Sequence, residues 1–278
     1  LHWPKEYGGG ARTPIERVIW GQEEGVYSVL SGLFTIGHGM CGPTVMEWAN
    51  EDWKEKLLPP LASGEEVWCQ LFSEPASGSD LAGLRTRAVN ADDGSGDWVI
   101  NGQKIWTSGA QNSDWGLLIT RTDPDVPKHK GLTMFFLRMD SPGVKVVPIK
   151  QANGASGFNE VYFDDVRIPD SQRLGDVGQG WHVSLTTLMN ERLSIGSGMS
   201  TGFPELFKLC MDAELDGEPA VADSNVRSKL AQFAVRQSGL KYTGMRAITA
   251  LGKGERPGPG NAIGKLVGGC TIQELCVC

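Results

Sequence analysis

Apolar positions between Thr13 and about Ala62 recur at helical spacing: Ile15, Val18 and Ile19, then Val26, Val29, Leu30, Leu33 and Phe34. Thr13-Pro14-Ile15-Glu16 predicts a helix start, with Thr as N-cap, Pro in the first turn and Glu reaching back. Gly37, Gly39, Gly42 and Pro43 predict an interruption, and Pro59-Pro60 predicts the end of a helix running from about Glu51. From about Val67 to Leu174 the pattern changes to short strands, at 67–72, 84–91, 98–100, 103–107, 115–121, 132–138, 144–149 and 161–166. Asn101-Gly102 predicts a hairpin turn between two of them, because both residues tolerate positive φ. Many short strands with frequent turns predict an antiparallel sandwich or barrel. Helical spacing returns at 181–195, 203–215, 226–252 and from about Ala262, with a Gly/Pro loop at 254–260. The chain therefore reads as α+β, helical over 1–66, β over 67–175 and helical over 176–278, with no internal repeat.

Composition adds exclusions. Of 278 residues, 40% are hydrophobic and 21% charged, enough apolar surface to offset the ordering entropy of a folded chain. No apolar run approaches the roughly 20 residues that span a bilayer. The net charge of -7 offers no basic stripe for nucleic acid. The opening segment, without Met or a signal-peptide pattern, predicts a fragment or processed product. Among Cys41, Cys69, Cys210, Cys270, Cys276 and Cys278 only the last three cluster, at no zinc or redox spacing, so reduced and mostly buried thiols are expected. His2, His38, His129 and His182 form no ligand spacing or triad, and no metal site is expected.

Three places can carry chemistry. Ser73-Glu74-Pro75-Ala76-Ser77-Gly78-Ser79-Asp80 follows an apolar strand and exposes amides and hydroxyls, as either a tight turn or a ligand loop. Trp106-Thr107-Ser108-Gly109 ends a strand with an aromatic and two hydroxyls, either a core Trp before a turn or a ring-stacking surface. Glu191 shares a helix face with Leu188 and Ile195, before Gly196, Ser197 and Gly198. A desolvated carboxylate there would suit proton transfer; a structural ion pair is the competing reading.

At these residues the chain resembles the acyl-CoA dehydrogenase family. Gln70-Leu71-Phe72-Ser73-Glu74-Pro75-Ala76-Ser77-Gly78-Ser79-Asp80 is similar to its [ST]-E-P-x-x-G-S-D signature. Ile100-Asn101-Gly102-Gln103-Lys104-Ile105-Trp106-Thr107-Ser108-Gly109 is similar to a second, and 158–169 with Leu174-Gly175 and Gly178-Gln179-Gly180-Trp181 to a third. The resemblance, in register over essentially the whole chain, implies a helical N-terminal domain, a central β domain and a C-terminal helical bundle. It implies FAD held by Leu71, Phe72, Ser73, Gly78, Ser79, Trp106, Thr107 and Ser108, with Ser79 also meeting acyl-CoA. It implies α,β-dehydrogenation, in which a carboxylate removes the α-proton and the β-hydride passes to flavin N5. Leu188-Met189-Asn190-Glu191-Arg192 resembles the long-chain and isovaleryl-type placement of the base, which makes Glu191 catalytic and Arg192 a substrate-side residue.

Further expectations come with the family: electron transfer to an electron-transferring flavoprotein, a homodimer, homotetramer or heteromeric assembly, and a bacterial cytoplasmic (or eukaryotic mitochondrial-matrix) setting in lipid metabolism. Two departures are visible. The flavin-contacting R-x-T-F-G segment is replaced by 219–227, and the chain is expected to lack an opening helical segment and the last part of the bundle. A dependent subunit of a heteromeric enzyme, or a flavin oxidase or monooxygenase on the same fold, are the alternative readings.

Overall fold

A computed structural model describes residues 3–24, 27, 30–196, 202–255 and 260–277. The chain divides into two compact units, one of residues 1–12 and 19–190, the other of 13–18 and 191–278.

The first unit opens with helices. Helix α1 (Pro14–Glu24), which the division crosses, starts on the expected reciprocal box: Glu16 N–H donates to Thr13 Oγ1 at 3.2 Å, and Thr13 N–H to Glu16 Oε2 at 2.8 Å. The glycines at 37–42 do not interrupt a helix. They form a π-helical turn over Gly37–Cys41 that runs directly into α2 (Gly42–Trp48), because glycine lets neighbouring chain approach closely. Trp3 lies against Gly42, where a Cβ would come within 2.2 Å of the indole. Helix α3 (Glu51–Ser63) likewise passes through Pro59 and Pro60 and ends at Gly64. Its buried Leu57, Leu58 and Leu61 hold that turn on the core, which outweighs the hydrogen bonds proline cannot make.

Eight strands follow: β1 (Trp68–Leu71), β2 (Arg87–Asn90), β3 (Trp98–Ser108), β4 (Trp115–Arg121), β5 (Leu132–Arg138), β6 (Val144–Ile149), β7 (Phe158–Ile168) and β8 (Arg173–Leu174). They form one sheet of order β6-β7-β3-β2-β4-β5-β8, with β1 also on β4. The sheet is mixed rather than antiparallel: β1 and β2 both pair parallel with β4, along its first and last residues. Strands β4 and β5 are buried on both faces, which is why they read as unbroken apolar runs. Leu117, Ile119, Met134 and Phe136 face a core shared with Val45, Leu57, Leu58, Leu61 and Val183. Leu118, Phe135 and Leu137 face a second core with Ile100, Val161, Phe163 and Val166 of β3 and β7.

The expected 98–100/103–107 hairpin does not form. Strand β3 runs unbroken through Asn101-Gly102, paired along its length with β7. The register shifts there because β7 carries an extra residue: Asp165, at φ 47°, exchanges two hydrogen bonds with Asn101 at 2.9 and 3.0 Å. Gly102 (φ 151°) is required because a Cβ would lie 2.6–2.8 Å from Thr86.

Helix α4 (Gly180–Gly196) begins in the first unit, where Trp48 Nε1 donates to Thr186 Oγ1 at 3.0 Å and Thr44 and Thr187 share a hydroxyl contact at 2.9 Å. In the second unit α5 (Phe203–Asp212) ends earlier than expected. Residues 214–219 instead form a small hairpin, β9 (Glu214–Leu215) against β10 (Glu218–Pro219). Helix α6 (Ser224–Gly252), with Asp223 accepting from the amides of Asn225 and Val226, packs against α5 and α7 (Asn261–Cys276). Among the described residues no helix is long and apolar enough to cross a membrane, and no cluster of metal-ligating side chains occurs. Cys41 and Cys69 are buried as expected, but Cys270 and Cys276 lie on the exposed side of α7 and Cys210 is half-buried. Leu1, His2, Ser197, Gly198 and Cys278 lie outside the described residues.

Candidate functional site

The two signature segments meet in the first unit. Where β1 ends, Leu71 and Phe72 turn their side chains into the two cores, so only their backbone is available to a ligand. Ser73 is half-buried, and its carbonyl accepts from the Ile105 amide at 2.8 Å, joining this loop to β3. Gly78 and Ser79 are exposed, and a Cβ at Gly78 would meet nothing within 4 Å.

Beneath the loop lies an ion pair that sequence reasoning missed. Lys104, fully buried, donates to Glu74 Oε1 at 2.8 Å and to the Phe72 carbonyl at 3.1 Å. Glu74 also accepts from the amides of Arg85 (2.6 Å) and Thr86 (2.9 Å). Burial pushes the Lys104 ammonium down to about 8 against the pull of Glu74. For Glu74 burial works upward, but Lys104 and the two amides outweigh it and hold the carboxyl below its usual range. The signal was present: Lys104 stands on the same alternation as Trp98 and Ile100, at an inward position of β3.

Two residues beyond Lys104 the strand bulges. Lys104 pairs with Val161 but Thr107 with Asn159, so β3 carries one residue more than its partner. Trp106 takes up the excess at φ 59°, a conformation costing a non-glycine residue about 1–3 kcal/mol. The result is an indole 58% exposed, edge-on to Phe158, beside a half-buried Ser108. Trp106 is therefore not a core tryptophan. Thr107 points the other way; its Oγ1 is buried without a hydrogen-bond partner among the described residues. A flat conjugated ring fits against the exposed indole, with half-buried Ser73 and Ser108 on the segments beside it.

Glu191 belongs to the second unit, on the last turns of α4. Its side chain is 15% exposed, and Oε1 pairs with the Lys265 ammonium of α7. Lys265 thus gives Glu191 an ion-pair partner, and adjacent Arg192 is half-buried. In place of the R-x-T-F-G segment, Arg227 folds back to donate to the carbonyls of Val221 and Ala222.

Whole-chain comparisons place this scaffold in a family. Models of the N-terminal, middle and C-terminal domains of acyl-CoA dehydrogenase match residues 1–65, 69–166 and 178–277. The chain belongs to the acyl-CoA dehydrogenase family. It is 42% identical to acyl-CoA dehydrogenase FadE34 of Mycobacterium tuberculosis over 99% of its own length, and 34% identical to IpdE1 of the same organism over 93%. It spans 37% and 64% of those relatives, respectively. Among solved structures, a protein described as the Tcur3481-Tcur3483 steroid ACAD is 31% identical with a TM-score of 0.82, covering 99% of this chain and 69% of that one.

Proposed function

We propose that this chain performs the FAD-dependent α,β-dehydrogenation of an acyl-CoA thioester, with Glu191 taking the α-proton. The observation that carries the reading is the Trp106 bulge: a left-handed, exposed indole on a strand tied to the Ser73 loop. FAD, when bound, supplies the hydride acceptor that amino-acid side chains lack. The backbone of Leu71, Phe72 and Thr107, together with Ser73, Gly78, Ser79, Trp106 and Ser108, would hold it; the Thr107 side chain points away from the indole face. The Trp106 indole excludes water from one ring face, and the hydroxyls of Ser73 and Ser108 orient the polar edge.

Ser79, exposed at the tip of its loop, and Arg192 are assigned to the acyl-CoA. The thioester carbonyl needs donors aimed at it, since an α-C–H is otherwise too weak an acid for a carboxylate. Lys265 holds the Glu191 side chain until substrate arrives.

Similarity to a steroid ACAD makes a thioester with a bulky polycyclic acyl group the first substrate to try, ahead of straight fatty chains. The replacement of the R-x-T-F-G segment by 219–227 favours a heteromeric assembly over a homodimer or homotetramer. Electrons would pass to an electron-transferring flavoprotein, and the bacterial relatives favour the cytoplasm.

The test is the visible spectrum of the FAD-reconstituted protein under anaerobic addition of acyl-CoAs. Bleaching by one thioester, retained flavin and lost bleaching in Glu191→Gln are expected. Bleaching that survives in Glu191→Gln would remove Glu191 from the mechanism. A chain that takes up FAD only with a sister chain present would move the activity to the pair.

A further inference from the structure

A left-handed tryptophan persists in a strand only where its surroundings over-determine the backbone. The loop of Ser73 supplies one tether, through the Ile105 amide. The far side of the bulge is held by Asn159, in the 158–169 segment, and by Gln111, which lies outside the motifs above. Asn159, on β7 directly opposite Thr107 and fully buried, donates from Nδ2 to the Thr107 carbonyl at 3.0 Å and to Gln111 Oε1. Gln111, exposed, donates in turn from Nε2 to the Ser156 carbonyl at 3.2 Å. Beside this chain of amides the Gly109 N–H donates to the Gly157 carbonyl at 3.0 Å.

The orientation of Asn159 is informative. Both of its donors go to the bulge and to Gln111, while its Oδ1 is buried with no partner among the described residues. Rotating the amide would place oxygen against the Thr107 carbonyl oxygen, so the two donor contacts fix the side chain even at the cost of an unmet acceptor.

From this geometry we infer that Asn159 and Gln111 are positioning residues, an amide clasp that sets the left-handed Trp106 bulge and so aims the indole at its ligand. The inference rests on the flavin reading of Trp106 for its consequence, and on the hydrogen-bond network alone for the clasp.

Hydrogen exchange and FAD titration of Asn159→Leu, Gln111→Ala and Trp106→Ala test it. Asn159→Leu keeps the side-chain volume and removes both donors. Its Ile105 and Gly109 amides should exchange about 10-fold faster than wild type at unchanged exchange in β4 and β5, since each tenfold corresponds to about 1.4 kcal/mol of local opening. Gln111→Ala, at an exposed position, should move the same amides in the same direction by less. FAD should bind about 10-fold more weakly to Asn159→Leu. In a Trp106→Ala background, Asn159→Leu should change FAD affinity no further, whereas a general structural defect would still lower it. Unchanged exchange at Ile105 and Gly109 in Gln111→Ala, or in a folded Asn159→Leu, overturns the clasp. Faster exchange with no FAD binding by wild type, alone or with a sister chain, leaves the clasp standing and overturns the flavin reading.

Discussion

Replacing Lys104 with Met removes the one ammonium that meets Glu74 beneath the signature loop. In the wild type the Glu74 carboxylate has three donors: Lys104 at 2.8 Å, the Arg85 amide at 2.6 Å and the Thr86 amide at 2.9 Å. Breaking a buried pair from one side costs about 3–5 kcal/mol, because an uncompensated charge stays behind. Two of three donors survive here, so the lower end applies, about 3 kcal/mol, and the Phe72 carbonyl loses its donor as well. Glu74→Gln strands the opposite charge, but Lys104, already at about 8, can release its proton, so the cost should be smaller. The double variant leaves no stranded charge. It should be more stable than the sum of the single losses by roughly 1–3 kcal/mol.

Urea unfolding of the four proteins at pH 7 measures the cycle, with equal m-values required for comparison. The pH dependence carries a sign. Folded Lys104 holds its proton less tightly than unfolded Lys104, so between about pH 8 and the unfolded lysine value the unfolded state binds more protons. Wild type should therefore gain stability relative to Lys104→Met as pH rises through that window. Glu74 acts at the other end: its contribution is complete above the usual carboxylate value and is lost as pH falls through the depressed folded one. Losses that simply add to within about 0.5 kcal/mol, or a Lys104→Met protein within about 1 kcal/mol of wild type, would refute the reasoning.

Two further outcomes follow from backbone geometry. Trp106→Gly removes the left-handed penalty while adding unfolded-state entropy, and the indole is mostly exposed. Its unfolding free energy should stay within about 1 kcal/mol of wild type, although the ring-stacking surface is gone; a loss of 3 kcal/mol or more would mean the indole is a packing residue. Gly102→Ala drives a Cβ to within 2.8 Å of the Thr86 backbone and side chain, and should lower stability by about 1–3 kcal/mol in thermal or urea unfolding, which a neutral result would contradict.

Asn-Gly and Asp-Gly show where sequence stops short. Asn101-Gly102 has the composition of a two-residue hairpin turn, yet β3 continues through it because the eleven-residue β7 runs alongside on both sides of it and Asp165 meets Asn101 at the bulge. Asp216-Gly217, just past the helix expected over 203–215, makes the hairpin instead, at φ 55° and 85°, between the two-residue strands β9 and β10. Turn chemistry permits a conformation; the partner strands decide whether it is used.

What the sequence determined by itself was local or periodic. The Thr13–Glu16 box and the apolar runs of β4 and β5 depend on neighbours a few residues away. They were legible for that reason. Tertiary structure decided whatever depends on distant chain. It turned Lys104 inward onto Glu74, 30 residues earlier, set Asn159 behind Trp106, and joined Glu191 to Lys265, 74 residues later. It also made the sheet mixed, since β1 and β2 find their parallel places only once β4 lies beside both. The physical reason is common to these cases. A buried charge or amide is tolerable only when its partner is delivered from elsewhere in the fold, and no local pattern records where that partner is.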